Sequence, residues 1–228
     1  MKNNRGRLLF FLGVLLVVAD QIIKVLVKTN MSIGEHFSVF GDWFQILFIE
    51  NEGMAFGMKF GGMAGKFALT FFRLVLFGFL CWWITTLNVK GRKISAKNSA
   101  EVRYEHVPTG VLVGLTLITA GALGNIIDCL FYGQVFSAST PYEVAQFGGS
   151  YAPVMFGKVV DMFYFPLIVT TWPQWMPIDT TWPSWMPLVG GHPFRFFEPV
   201  FNFADSCVTV GAFYLILFQY KFFTSEQE

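Results

Sequence analysis

Four aspartates and three asparagines are the residues of this chain best placed to do chemistry: Asp20, Asp128, Asp161 and Asp205, with Asn51, Asn125 and Asn202. Each stands in or beside an apolar run. Asp20 and Lys24 are four apart in LLVVADQIIK, Asn125 and Asp128 three apart in GALGNIIDCLFYG, and Asn202 and Asp205 three apart in VFNFADSC. Asp161 lies in GKVVDMFYFP and Asn51 in ENEGMAFGM. A carboxylate among apolar residues is expensive and marks a functional site by default. Asp205 alone could be explained as the cap of a helix, and Asp20 with Lys24 as an ion pair one turn apart. Four such acids together ask for a shared purpose. Two carboxyls held close cannot both ionise easily, so they share a proton. One can then act as base on a water and the other as acid toward a carbonyl oxygen, and the titration belongs to the pair. The residue types leave open which two would form that pair. Other chemistry is poorly served. His36, His106 and His192 fall in no nucleophile or H-E-x-x-H motif, and Cys81, Cys129 and Cys207 have neither zinc-type spacing nor a disulfide framework.

The elements that must carry these residues are membrane spans. The chain has 228 residues, is 54% hydrophobic and only 14% charged, against roughly 25% in an average soluble protein. A single integral membrane domain over 1–228 is expected. Runs of about 20 apolar residues predict four helices at about 8–27, 67–87, 108–130 and 203–220, joined by loops 31–66 and 131–199. The first run is too long for a secretory signal and no small-residue cleavage site follows it. The alternation in WFQILFI predicts short strands in the first long loop. Lys2, Arg5 and Arg7, the five basic residues between Lys90 and Arg103, and Lys221 predict cytoplasmic termini and two external loops. Net charge is +1 with no basic cluster, which speaks against nucleic acid as a partner. On this topology all four Asp and three Asn converge near the external ends of the helices. The repeat TTWPQWMP/TTWPSWMP at 170–187 is too proline-rich for helix or strand. The rival reading is a small ion or proton transporter subunit with the Asp/Asn layer as its cation site. Against it, no polar path continues inward along the later helices.

Five segments in this order resemble the bacterial lipoprotein signal peptidases, membrane aspartic proteases with four helices: DQIIK (20–24), ENEGMAFG (50–57), GALGNIID (121–128), VVDMF (159–163) and FNFADSCVTVG (201–211). The resemblance implies an all-α membrane protein with a small external β-rich subdomain. It implies removal of the signal peptide from diacylglyceryl-modified prolipoproteins, just before the lipidated cysteine. It also implies no metal or cofactor, inhibition by globomycin, a monomer among membrane lipids, and a bacterial inner-membrane location with the site at the outer face. Residue by residue, it makes Asp161 and Asp205 the catalytic pair. Asn51, Gly53, Asn125, Asp128 and Asn202 become site-lining residues, and Asp20 with Lys24 the supporting pair. Two departures stand out. Cys129 replaces the arginine that usually follows the GNxxD aspartate, with Arg195 the candidate substitute, and segment 131–156 intervenes before VVD.

Overall fold

The computed structural model describes residues 2–52, 62–95, 102–166, 168–171, 193–196 and 199–224. Gly53, most of the tryptophan–proline repeat and the side chain of Arg195 lie outside the described residues. Helix α1 runs Lys2–Asn30, α2 Gly62–Val89 and α3 Thr109–Ile127. Each is predominantly apolar and without internal proline, and each is longer than its predicted bounds or nearly matches them. Leu8, Phe10, Phe11 and Leu15 on α1 and Phe71, Phe72, Phe79 and Trp82 on α2 are exposed. A belt of large apolar side chains facing outward is what a bilayer, rather than water, tolerates. Three helices among the described residues are long and apolar enough to span: Asn4–Asn30, Gly62–Val89 and Thr109–Val135.

The helix predicted at 203–220 is shorter. Helix α5 runs Phe203–Phe218, 16 residues or about 24 Å at 1.5 Å per residue, and Gln219 leaves helical geometry before the short α6 (Tyr220–Thr224). Helix α3 is the hub, packed by α1, α2 and α5. At Gly121 a Cβ would lie 2.3 Å from the carbonyl oxygen of Ala204, so only glycine lets the α3 and α5 backbones come this close. Arg5 donates to Asn88 Oδ1 (3.0 Å) and Val107 O (2.9 Å). These bonds gather the start of α1, the end of α2 and the approach to α3 at one end of the bundle. The acids lie at the other.

Strands at that other end extend the expected β-rich cap into the second long loop. β1 (His36–Phe40), β2 (Phe44–Asn51), β5 (Val159–Tyr164) and β8 (Val200–Phe201) form one antiparallel sheet in the order β1-β2-β5-β8. The VVDMFY segment is β-branched and aromatic and flanked on both sides, so it is a central strand rather than part of an irregular loop. Val160 and Met162 enter a core with Phe48, Val27, Tyr132 and Phe136. Two hairpins complete the strands: β3 (Arg92–Ser95) with β4 (Val102–Glu105), and β6 (Ile168–Thr171) with β7 (Pro193–Phe196). Neither was expected, and β6 takes in Thr170 and Thr171 at the start of the repeat. Beyond α3 the helix widens into a π-turn over Asp128–Tyr132, then closes in α4 (Gly133–Val135).

Candidate functional site

The site is assembled from the last third of α1, the end of α3, the start of α5, and the facing residues of β2 and β5. Asp20 and Lys24 share a face of α1, as their spacing requires. Lys24 is fully buried. Its ammonium contacts Asp20 Oδ2 at 3.0 Å, Asp128 Oδ2 at 2.7 Å and Asn125 Oδ1 at 2.8 Å. Those three acceptors use its three donors. Gln21, beside Asp20, donates to Asp20 (3.1 Å), Gly124 O (3.1 Å) and Asp128 Oδ1 (3.0 Å), and accepts from the Tyr132 hydroxyl at 3.1 Å. Asp20 Oδ1 reaches across to accept from Ala204 N at 2.9 Å. It thereby ties α1 to the first turn of α5. At Gly124 a Cβ would lie 2.5 Å from Asp20 Oδ2, so this glycine makes room for the carboxylate.

Asn202 is the N-cap of α5. Its side chain accepts from Asp205 N at 2.9 Å while Asp205 Oδ2 accepts from Asn202 N at 3.3 Å, a reciprocal capping box. Asp205 is thus the N3 partner of the box, with Asn202 the cap itself, and this role uses only one oxygen. Asp205 Oδ1 accepts from Asn125 Nδ2 at 2.8 Å. The amide nitrogen of Asn202 is shared between Asp161 Oδ1 (2.7 Å) and Asn125 Oδ1 (3.1 Å). Asp161 receives its second bond from the other side, Asn51 Nδ2 to Oδ2 at 3.2 Å. That bond follows from strand register: Ile49 pairs with Asp161 and Asn51 with Val159, so Asn51 is the diagonal neighbour of Asp161.

Thus Asp161 and Asp205 are bridged by one asparagine and each is held by a second. Asp161 is 2% exposed. Burial, followed by the nearby Asp205 charge, pushes its carboxyl up to about 7, against the lowering hydrogen bonds from Asn202 and Asn51. Such a carboxyl carries a proton near neutrality beside a carboxylate at a helix N-terminus, where the dipole favours negative charge. Asp20, Asp128 and Lys24 form a separate layer that touches the pair through Asn125. No described buried side-chain oxygen or nitrogen lacks a hydrogen-bond partner.

Several participants escaped the sequence reading. Gln21 binds Asp128, and Tyr132 binds Gln21. Gln21 lay inside the quoted DQIIK, whereas Tyr132 depends on the π-turn, which no pattern announced. Beside Asp128, the thiol of Cys129 meets Arg73 Nη1 at 3.5 Å. The guanidinium near this position therefore comes from α2. A cavity of about 480 Å³ opens between α1, α2 and α3, lined by residues such as Gly13, Val17, Cys81, Thr116 and Leu123. It contains no carboxylate and is separate from the acids.

The family model for signal peptidase (SPase) II matches residues 12–221. A lipoprotein signal peptidase from Porphyromonas gingivalis is 43% identical over 216 residues, covering 93% of this chain and 83% of the relative. Those of Amoebophilus asiaticus and Pelodictyon phaeoclathratiforme are 31% and 30% identical, covering 90% and 96% of this chain and 75% and 94% of theirs. Two solved structures of bacterial membrane enzymes share the fold. One has a TM-score of 0.54 at 21% identity, covering 97% of this chain and 93% of that one. The other has 0.52 at 22%, covering 92% and 90%.

Proposed function

The chain belongs to the signal peptidase II family, and on that premise we propose that it is an aspartic endopeptidase whose reacting pair is Asp161 and Asp205. It removes the signal peptide of lipoproteins, cutting before a cysteine that already carries diacylglycerol. The observation that carries the assignment is the bridge through Asn202, which binds Asp161 and caps the helix of Asp205. Asp205, at the positive end of α5, takes a proton from water. Asp161, protonated near neutral pH, donates to the scissile carbonyl oxygen as the hydroxyl attacks. As the C–N bond breaks, the proton gained by Asp205 passes to the leaving nitrogen and a hydroxyl proton of the collapsing diol returns to Asp161. Asn51, Asn125 and Asn202 hold the two carboxyls in place, and Asp20, Lys24 and Asp128 anchor Asn125 and α5 beneath them. No step calls for a metal or cofactor.

The protein works as a monomer in the bacterial inner membrane, with α5 as a fourth span and the site at the outer face. Its substrate is a lipidated peptide already in the bilayer, which suits acids at the end of an apolar bundle. Purified protein in micelles, given a diacylglyceryl-modified prolipoprotein, should release a shortened product, and globomycin should block the release. Asp161→Asn and Asp205→Asn should each lower turnover by about 10²- to 10⁴-fold. Either variant cutting at the parental rate would end the assignment.

A further inference from the structure

We propose that the segment inserted before β5 is a positioning device: its Ser139 fixes Glu50, and Glu50 holds β2 in the register that presents Asn51 to Asp161. This rests on the reading of Asp161 as half of the reacting pair. Glu50 and Asn51 are adjacent in β2, so their side chains leave opposite faces of the strand. Asn51 bonds Asp161. Glu50, with its side chain 3% exposed, turns to the other side.

There its Oε1 pairs with Lys28, one turn beyond Lys24 on α1, and accepts from Ser139 Oγ at 2.9 Å. Lys28 also donates to Ser139 Oγ at 2.9 Å. The three side chains therefore close a triangle whose corners belong to α1, β2 and the inserted segment. Oε2 contacts Lys158 at 3.3 Å, the residue that immediately precedes β5. The ammonium of Lys28 is fully buried and lies 5.4 Å from the Phe136 ring centroid and 5.1 Å from that of Tyr151. Both rings belong to the inserted segment. The Tyr151 hydroxyl accepts from Lys158 N at 2.8 Å, and Ile33 N donates to Thr140 O at 3.1 Å. The side-chain connections run to β2, to Lys158 at the start of β5, and to the helix that carries Lys24, while Ile33 ties the chain just after that helix. A short connection before β5 could not supply this wall. Glu50, Ser139 and Lys28 are thus positioning residues that act through Asn51.

The hydrogen bond from Asn51 stabilises the charged form of Asp161, so loosening β2 raises the pH at which Asp161 ionises. The groups facing Asp161 are Asp205, Asn202, Asn51 and Lys24, and none changes in the test variants. Glu50→Gln removes a negative charge, which alone would lower that pH. Ser139→Ala removes no charge, which alone would leave it unchanged. Positioning predicts a rise in both.

The test is the titration of Asp161 by carbon NMR of the full chain, labelled at the aspartate carboxyls, in lipid nanodiscs, with the Asp161 signal identified by its loss in Asp161→Asn. Alongside it, cleavage kinetics should show kcat falling with KM unchanged, by roughly 2- to 10-fold in Ser139→Ala and 10- to 100-fold in Glu50→Gln. Ser139→Thr, which keeps the hydroxyl, should restore both readings. An unmoved Asp161 midpoint in Ser139→Ala, or a downward shift in Glu50→Gln, overturns the proposal. The titration does not depend on activity. A catalytic assignment that failed, seen as cleavage by Asp161→Asn, would therefore remain distinct from a failure of positioning.

Discussion

Replacing Asp161 by asparagine should make the protein more stable at pH 8 while removing its activity. The carboxyl of Asp161 rises on folding from an ordinary value of 3.8 to about 7. A raised acid contributes its stability when protonated, below the unfolded value, and loses it as pH climbs through the folded value. At pH 8 the folded protein therefore holds a buried carboxylate that the unfolded chain would hydrate freely. The interval corresponds to roughly 4 kcal/mol at 1.36 kcal/mol per pH unit. Asparagine escapes that penalty. It keeps one acceptor for Asn202, the closer donor at 2.7 Å, but turns an NH₂ toward the amide of Asn51. A donor facing a donor costs about 1–2 kcal/mol. The net gain is about 2–3 kcal/mol at pH 8, or roughly 4–12 °C in thermal midpoint for a chain of this size. At pH 4 the penalty is absent in the parent as well, so the variant should be equal or slightly less stable. Thermal unfolding of both proteins in the same detergent, from pH 4 to pH 8, reads the difference directly. A gap that stays flat across that range, or a variant less stable at pH 8, refutes the argument that burial and Asp205 keep this carboxyl protonated.

On the proposed mechanism, in which the proton on Asp161 is given to the carbonyl oxygen, cleavage by the parent should decline as pH rises through about 7; a pH–rate profile in micelles checks this. Lys24→Met leaves Asp20 and Asp128 buried without their cation and should cost about 3–5 kcal/mol, measured as loss of folded protein on heating or on extraction. Gly121→Ala drives a Cβ into Ala204 O and should cost about 1–3 kcal/mol, with cleavage falling more than stability because α5 carries Asn202 and Asp205. Cys129→Arg brings a second guanidinium against Arg73 in a buried position and should lower folded yield, with partial recovery when combined with Arg73→Leu.

The readable parts of the site were those written along one helix. Asp20 with Lys24 and Asn202 with Asp205 are local spacings, and their partners in the structure include one another. The link between Asn51 and Asp161 is of a different kind. It depends on β2 pairing with β5 across 110 positions, and nothing in either segment states the register. Strands were foreseen in the first long loop from its alternation, but VVDMFY lacks alternation because a central strand is buried on both faces. The clamp of Lys28, Glu50 and Ser139 stayed hidden for the same reason. Glu50 stands within ENEGMAFG, and nothing in that motif states that Ser139 and Lys28 close over it. The break at Gln219 and the π-turn at Asp128 are not written in the hydropathy, so apolar length alone overestimates the last helix.

The bridging role of Asn202 also bears on when the protein first becomes able to cut. During synthesis, the layer of Asp20, Gln21, Lys24, Asp128 and Tyr132 can close once α3 and its π-turn have entered the bilayer. Asn202 follows about 70 residues later, or roughly 4–14 s at translation speeds of 5–20 residues per second. Asp161 is made 41 residues before Asn202 and until then has neither its bridge nor its partner, while through the whole interval Asp20 Oδ1 has no Ala204 N–H to accept from. A nascent chain is therefore an inert one. On the proposed mechanism, activity waits for the helix that carries Asp205, and a product truncated before Asn202 would sit in the membrane unable to cut.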